Sequence, residues 1–491
     1  LTPDFALPVA VGSSHVYVGI EPISSLRKES DLAARLTPEA SDAVPIWFVS
    51  TENWEEVRGA IGETAARFAA ACGFEPKPGR LQLLPDPSGG IAGALFGEAG
   101  ANAGDRDPLL PGKLATTLPA GAWRFANSPA DVELATLGFL LGLYRFDRFK
   151  ADPSAQPRLA APAGVDREDV ERIAAAVAFG RDLVNAPANV LGPAALESQA
   201  TELAQAFDAS VETIRGDELL AKNLPLIHAV GAAADEAPRL VDFIWGRADA
   251  PRVTLVGKGV VFDTGGLDIK PAAGMELMKK DMGGAATALT LARLIMESAL
   301  DVRLRVLIPI VENSISARAM RPGDILKSRK GLTVEIGNTD AEGRLILADA
   351  LALAAEEAPE LMFDFATLTG AARVALGPDL PPFYTDDEAL ALDIALHAAR
   401  VRDSVWRLPL WRPYDSMLES PFADLNNAPG SPFAGSVTAA LFLRRFTEGA
   451  KSWAHFDVYA WNPKPRAHGP QGGEIQSARA LFDLLRKRFA G

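Results

Sequence analysis

Leu255-Val256-Gly257-Lys258-Gly259-Val260-Val261-Phe262-Asp263-Thr264-Gly265-Gly266-Leu267-Asp268-Ile269-Lys270 opens as an apolar run that stops at Gly257 and passes into a glycine-flanked loop. The spacing predicts a strand running into Gly257, with Lys258 and Asp263 at its carboxyl end, where glycines let the backbone turn tightly and approach a ligand. Outward from this stretch, from about residue 225 onward, β-rich runs alternate with helical ones. Strands are expected at Leu240 to Trp245, Val253 to Val256, Leu304 to Ile310, Thr333 to Ile336 and Met362 to Phe365, and helices at Ala285 to Glu297 and Leu345 to Glu357. This alternation implies an α/β fold, a sheet with helices on its faces. Ligands of such a sheet gather at strand ends, where the loops converge.

Upstream, residues 1–150 read as a smaller α/β module. His15 to Ile20 and Pro45 to Val49 look like strands, and Trp54 to Ala71 carries apolar residues at helical spacing. Pro85-Asp86-Pro87-Ser88-Gly89-Gly90 is a turn by composition and predicts a hairpin. A phosphate-binding loop is rejected, because Gly112-Lys113 is followed by Leu114 and not by Ser or Thr. Ala151 to Gly164, with Pro153, Pro157 and Pro162, has the composition of a linker, and Asp166 then caps an Ala-rich connecting helix that runs to Val184. The expected organisation is therefore 1–150, a linker and connecting helix over 151–184, and a larger C-terminal domain over 185–491.

The chain of 491 residues is 48% hydrophobic and 23% charged, ordinary globular usage that argues against long disorder, collagen-like repeats and coiled coil. Lys+Arg 49 against Asp+Glu 63 gives a net charge of −14, a field that repels phosphate backbones and anionic lipid, so nucleic acid and membranes are disfavoured as partners. Cys72, the single cysteine, can form neither an internal disulfide nor a cysteine zinc cage. With no long apolar run, and with neither basic nor apolar signal regions at Leu1-Thr2-Pro3-Asp4, the expected compartment is the cytoplasm.

None of the five histidines is followed by Glu-x-x-His, and no Gly-x-Ser-x-Gly elbow is present. What stands out instead is three carboxylate-bearing blocks at strand and helix ends. Besides Lys258 to Lys270, Met278-Lys279-Lys280-Asp281-Met282-Gly283-Gly284-Ala285 places Asp281 just ahead of a helix, and Gly337-Asn338-Thr339-Asp340-Ala341-Glu342-Gly343-Arg344-Leu345 lies between a strand and a helix. In an extended backbone Asp340 and Glu342 point to one side, and like charges so close repel unless a cation lies between them. Asp263, Asp281, Asp340 and Glu342 together carry formal charge −4, which matches two divalent cations. Carboxylates suit Mg and Mn, and a neutral lysine amine as an added ligand shifts the balance toward Zn, Co or Mn. The bland alternative is a set of capping acids with solvated lysines.

Asn338-Thr339-Asp340-Ala341-Glu342-Gly343-Arg344-Leu345 resembles the signature of the leucine aminopeptidase family, the cytosolic di-metal aminopeptidases. Supporting matches are Val256-Gly257-Lys258-Gly259, Phe262-Asp263-Thr264-Gly265-Gly266, Ile269-Lys270-Pro271, Asp281-Met282-Gly283-Gly284-Ala285, Arg321-Pro322-Gly323-Asp324 and Ala366-Thr367-Leu368-Thr369-Gly370-Ala371. The resemblance covers about Arg181 to Phe446; in the N-terminal module only Leu141-Gly142-Leu143-Tyr144-Arg145-Phe146 is similar. It implies a small N-terminal α/β domain and a larger catalytic α/β domain with a mixed central sheet flanked by helices, assembled as a homohexamer. It also implies that Lys258, Asp263, Asp281 and Glu342 hold one metal, that Asp263 and Glu342 bridge to a second, and that Asp340 completes the second. Lys270 and Arg344 match the two catalytic residues, with a bicarbonate on Arg344 as general base. Met278 and the turn through Thr367, Leu368 and Gly370 match the side-chain pocket, so peptides with a free N-terminal Leu- or Met-like residue are the implied substrates.

Two departures stand out. Asp268 occupies a place where family members commonly carry Ser, adding a negative charge near the metals. His455 to Gln476, including Tyr459-Ala460-Trp461-Asn462-Pro463, departs from the family's Gly-rich ending and is expected to border the substrate cleft. A DNA-binding accessory protein, an inactive scaffold of the same fold and a di-metal phosphoesterase are the competing readings. The first is opposed by the charge and the second by the intact motif set. The third differs in releasing phosphate and in ignoring N-terminal acetylation.

Overall fold

The computed structural model describes residues 36–38, 42–100, 103–104 and 106–489; the strand expected at His15 to Ile20 lies outside them. Among the described residues, the N-terminal domain is built on six strands: β1 (Leu36–Thr37), β2 (Val44–Val49), β3 (Leu81–Pro85), β4 (Ile91–Gly97), β5 (Gly121–Phe125) and β6 (Pro157–Ala160). Their order is β1-β6-β5-β2-β4-β3, all parallel except the β3–β4 hairpin. Asp86 closes that hairpin as expected, its carboxylate accepting from the Ser88 and Gly90 N–H groups at 2.7 and 2.9 Å. The stretch Trp54 to Ala71 is two helices, α1 (Trp54–Ile61) and α2 (Glu63–Ala71), because Gly62 takes φ +83° and breaks the first before the second begins. Within the proline-rich stretch 151–164, Pro157–Ala160 pairs with β5 and β1, so the N-terminal sheet extends past residue 150.

Two longer helices flank β6 in sequence. In α3 (Val132–Gly142) Asp131 caps the Leu134 N–H at 2.9 Å, and in α4 (Arg167–Asn185) Asp166 caps the Asp169 N–H at 3.1 Å with Glu168 and Asp169 in the first turn. α4 forms where the connecting helix was expected and packs against α3.

The C-terminal domain holds β7 (Ser210–Arg215), β8 (Arg239–Trp245), β9 (Arg252–Gly257), β10 (Gly259–Asp263), β11 (Arg303–Asn313), β12 (Ile325–Lys327), β13 (Thr333–Glu335), β14 (Leu361–Ala366), β15 (Pro382–Tyr384), β16 (Trp406–Arg407), β17 (Leu425–Asn426) and β18 (Trp453–Asp457). The central sheet runs β16-β15-β18-β14-β9-β11-β8-β7. Its middle strands β18, β14, β9 and β11 are parallel, while β8 is antiparallel to β11 and β7, and β15 is antiparallel to β18 and parallel to β16, so the sheet is mixed. The strand expected at Thr333 to Ile336 forms, but in a separate three-stranded sheet, β12-β13-β17.

Strands buried on both faces read as continuous apolar runs rather than as alternation. Leu361, Phe363 and Phe365 of β14 face one core, with Val253 and Leu255 of β9, and Met362, Ala366 and Val256 face the other. On the first side lie α4, α5 (Gly283–Glu297), α8 (Glu388–Arg400) and α10 (Ala478–Phe489); on the second lie α6 (Glu342–Ala355) and α9 (Gly435–Arg444). A further short helix, α7 (Gly370–Leu376), follows β14.

The centre of the sheet contains an interruption. β9 ends at Gly257, the Lys258 N–H still donates to the Phe365 carbonyl at 2.9 Å, and the chain continues along β11 as β10 while β14 turns away at Thr367. The parting of β14 from β10 opens a cleft at the carboxyl end of the parallel strands, and α5 enters beside it, with the Ala285 N–H donating to the Lys258 carbonyl at 2.8 Å. That approach requires glycine. A Cβ on Gly257 would stand 2.7 Å from Ala285 Cα, and one on Gly284 would collide with the Phe365 carbonyl oxygen. Gly284→Ala is therefore expected to lower stability by about 1–3 kcal/mol, since backbone on both sides cannot yield. An unchanged midpoint in denaturant unfolding would contradict this packing.

Candidate metal centre

Every residue expected to hold or serve a metal lies at this cleft. Lys258 and Asp263 bracket β10; Asp281 follows a 3₁₀ turn, Met278–Lys280, just before α5; and Glu342 and Arg344 sit in the first turn of α6. Asp281 and Glu342 thus stand at helix N-termini, where the macrodipole favours negative charge. Asp340 and Glu342 converge for a different reason than expected. The backbone is not extended there; Ala341 lies at φ −107°, ψ 40° and Glu342 is already helical, so the turn into α6 brings the two carboxylates together.

One carboxylate oxygen each from Asp263, Asp340 and Glu342 lies within 4.8 Å of the others. Asp281 stands on the other side of Lys258. The buried Lys258 ammonium is 2.8 Å from Asp281 Oδ2 and 2.9 Å from Glu342 Oε1, and donates to the Thr367 carbonyl at 2.9 Å. Lys270 bridges Asp263 Oδ2, at 2.8 Å, and Asp340 Oδ1. Burial raises the carboxyls of Asp281, Asp340 and Glu342, reinforced chiefly by repulsion from Asp263; Asp340 rises to about 6 and Glu342 goes well above its usual range. For the two lysines burial acts against the charge, but Asp281, Glu342 and Asp263 around Lys258, and Asp263 and Asp340 around Lys270, outweigh it and hold both ammonium groups well above the usual lysine range.

The donor set fits hard or borderline divalent cations. Asp281 Oδ2, Asp340 Oδ1 and Glu342 Oε1 are buried and accept no well-aligned hydrogen bond, although each faces a lysine. Arg344 fits an anion in the same way: Nη1 donates to the Asn427 carbonyl at 2.6 Å, while the buried Nε has no acceptor. Burial lowers Arg344 to about 10, which leaves it protonated at neutral pH.

Sequence reasoning missed the residues that brace the site. Asn313, at the end of β11, donates to Asp263 Oδ1 at 2.7 Å and to the Thr339 carbonyl at 3.2 Å. Asn427 accepts from the Gly337 and Asn338 N–H groups and donates back to the Asn338 carbonyl at 2.8 Å. Asp457, closing β18, accepts from Leu368 and Thr369 N–H through Oδ1 and from Thr369 Oγ1 and Ser436 Oγ through Oδ2. Their only sequence signal is a polar residue that ends or follows a strand. Asp268 braces as well: Oδ2 accepts from the Thr339 N–H at 2.8 Å, tying the 263–270 loop to the 337–344 loop. Thr367 Oγ1 lies 2.8 Å from Asp281 Oδ1, and Leu368 and Gly370 follow it at the entrance to α7. Met278, half-buried, opens the 3₁₀ turn that leads to Asp281.

An acidic, lysine-bridged cleft at the carboxyl ends of parallel strands in a mixed sheet defines a metal-dependent hydrolase in architecture. Residues 178–482 match the cytosol aminopeptidase family, catalytic domain, and residues 44–162 match the M17 aminopeptidase N-terminal domain; the chain belongs to the cytosol aminopeptidase family and is a metallo-exopeptidase. It is 42% identical over 379 residues to a probable cytosol aminopeptidase of Roseiflexus castenholzii, covering 73% of this chain and 77% of that protein. It is 36% identical over 484 residues to one from Desulfovibrio desulfuricans, covering 93% and 95%. Among solved structures, the cytosol aminopeptidase from Coxiella burnetii superposes with TM-score 0.88 at 41% identity, over 92% of this chain and 99% of that one. The bottromycin maturation enzyme BotP in complex with Mn gives TM-score 0.81 at 32% identity, over 91% and 100%.

Proposed function

We propose that the protein removes the first amino acid from peptides bearing a free N-terminus, using two divalent ions, Zn or Mn with Mg or Co also compatible. The observation that carries this reading is the convergence of Asp263, Asp281, Asp340 and Glu342 around two lysines, with carboxylate lone pairs left unused. Lys258, Asp263, Asp281 and Glu342 would hold one ion; Asp263, Glu342 and Asp340 the other. Bound there, the ions would polarise the scissile carbonyl and acidify a water molecule. Lys258 must give up its proton to become a ligand, so metal uptake releases a proton. Lys270, kept cationic and free to leave Asp263 and Asp340 once these engage metal, stabilises negative charge developing on the carbonyl oxygen. Arg344, with its unsatisfied Nε, would hold a bicarbonate ion, which would supply a general base beside the metals. Met278, Thr367, Leu368 and Gly370 border the first residue's side chain, and their apolar faces accept a Leu- or Met-sized stem.

No helix among the described residues is long and apolar enough to cross a membrane. The cytosol aminopeptidase relatives support placing the enzyme in the cytoplasm. We further propose a homohexamer. Val374, Leu392, Leu396, Trp411, Phe422 and Phe433 are exposed and supply apolar surface for such an assembly to cover.

The test is hydrolysis of aminoacyl p-nitroanilides, leucyl included, beside their N-acetylated twins, by EDTA-treated protein before and after Mn or Zn is restored. Metal-restored cleavage of the free-amine series alone is expected. Equal cleavage of the acetylated series, or phosphate release from nitrophenyl phosphate in its place, would favour a different di-metal hydrolase.

A further inference from the structure

Lys280 has no part in the chemistry above, yet it is only 6% exposed. A buried ammonium ordinarily has an acceptor, because desolvating it otherwise costs several kcal/mol. Among the described residues, Lys280 Nζ has no hydrogen-bond acceptor and no carboxylate within salt-bridge distance; what it faces is the ring of Tyr459, 4.6 Å from the centroid. The Arg373 guanidinium lies 5.4 Å from the same centroid, with Nη1 3.4 Å from the Tyr459 hydroxyl. Two cations therefore share one aromatic ring with no anion between them. Nearby carboxylates are committed elsewhere: both oxygens of Asp457 are taken by the 368–369 backbone, Thr369 and Ser436, and Asp281 faces Lys258 and Thr367.

The position of this group relates it to substrate. Lys280 ends the turn that Met278 begins, Arg373 lies on α7 just after Gly370, and Ala460, next to Tyr459, packs where a Cβ on Gly283 would meet both it and Thr367. Met278 and the 367–370 turn border the side chain of the first residue in the proposed function, on which this step rests. We propose that Lys280, Tyr459 and Arg373 form the far end of that side-chain subsite and select an acidic first residue, glutamate or aspartate. The apolar stem lies along Met278 and Leu368, and the carboxylate supplies the anion that the two cations lack.

The experiment measures kcat/KM of the Mn-loaded enzyme for glutamyl, aspartyl, leucyl and methionyl p-nitroanilides. Glutamyl is expected to exceed leucyl by roughly ten- to a hundredfold, the scale of one charge-assisted hydrogen bond. Lys280→Met is expected to lower the glutamyl-to-leucyl ratio at least about tenfold, mainly through KM, with Lys280→Arg restoring most of it. Arg373→Ala, at an exposed position where a substitution costs little stability, is expected to lower the ratio about threefold, as an exposed charge does. Cleavage of the leucyl substrate with a ratio favouring leucyl in the wild type, or a ratio unmoved in both variants, overturns this inference and leaves the aminopeptidase reading intact. Failure to cleave any free-amine substrate overturns both.

Discussion

Glu342→Gln is expected to lower kcat/KM by about a thousandfold or more, on the scale of losing a preorganised electrostatic element from an active site. The glutamine matches the glutamate in volume, so the loss reports the charge. The same variant should be no less stable than wild type when metal is absent. Four clustered carboxylates repel, burial already drives Glu342 well above its ordinary range, and removing one relieves neighbours that are raised for the same reasons. Adding Mn or Zn should then separate the two proteins. A ligand that binds only the folded state at a thousand times its Kd stabilises by about 4 kcal/mol, so the wild-type melting temperature rises and that of the variant rises far less. Equal metal-induced stabilisation of both proteins would remove Glu342 from the ligand set, whatever the activity.

The second large effect concerns the joint between the domains. Arg181 of α4 is 1% exposed; it donates through Nε and Nη2 to Glu474 at 3.0 and 2.9 Å, through Nη1 to the Leu141 carbonyl of α3 at 3.0 Å, and to the His468 carbonyl at 2.9 Å. One guanidinium thereby ties the N-terminal domain, the connecting helix and the C-terminal segment together. Arg181→Met is expected to cost about 3–5 kcal/mol, because the Glu474 carboxylate would remain buried without its cation. Burial by itself pushes Glu474 up, but the charge and hydrogen bonds of Arg181 prevail and hold it at about 2. His468, driven down to about 4 by burial, is neutral at neutral pH and does not replace Arg181.

The sign follows from linkage. A folded-state pKa below the unfolded value of about 4.3 contributes stability that is present above that pH and lost as pH falls toward 2. In the variant, burial loses its main opponent, with only the Asn462 amide and the Ile475 N–H still donating to the carboxylate, so Glu474 folds more readily when protonated and the deficit grows as pH rises. Denaturant unfolding at pH 5 and pH 8 should show the larger difference from wild type at pH 8. A difference under about 1 kcal/mol, or one that does not change with pH, would mean that the clamp contributes little beyond packing.

The parts of this molecule that the sequence makes legible are those whose physics is local. Lys258 to Lys270, Met278 to Ala285 and Gly337 to Leu345 each carry glycines and acids within one turn of chain, and the cleft assembles all three. The central strands are legible for a similar reason, since burial on both faces leaves an unbroken apolar run. Periodicity fails where one residue decides. It runs through Gly62 without a break, although a positive φ there makes two helices of one pattern. Nor can it say which sheet a strand joins, as β13 shows. Asn313, Asn427 and Asp457 are invisible for a deeper reason: each is an ordinary polar residue until a distant loop folds onto it. Lys280 belongs with them, since Tyr459 and Arg373 reach it only through tertiary packing.

The spread of the site along the chain governs when the enzyme can first act. Asp457 fixes the 368–369 backbone from a strand that pairs with β14, so the stretch after Thr367 is held in part by a residue 89 positions further along the chain than Leu368. A ribosome adding about 5–20 residues per second must therefore pass β18 before the cleft can close. Until then the nascent protein holds carboxylates and lysines on unpaired segments, and a peptide-trimming activity stays silent.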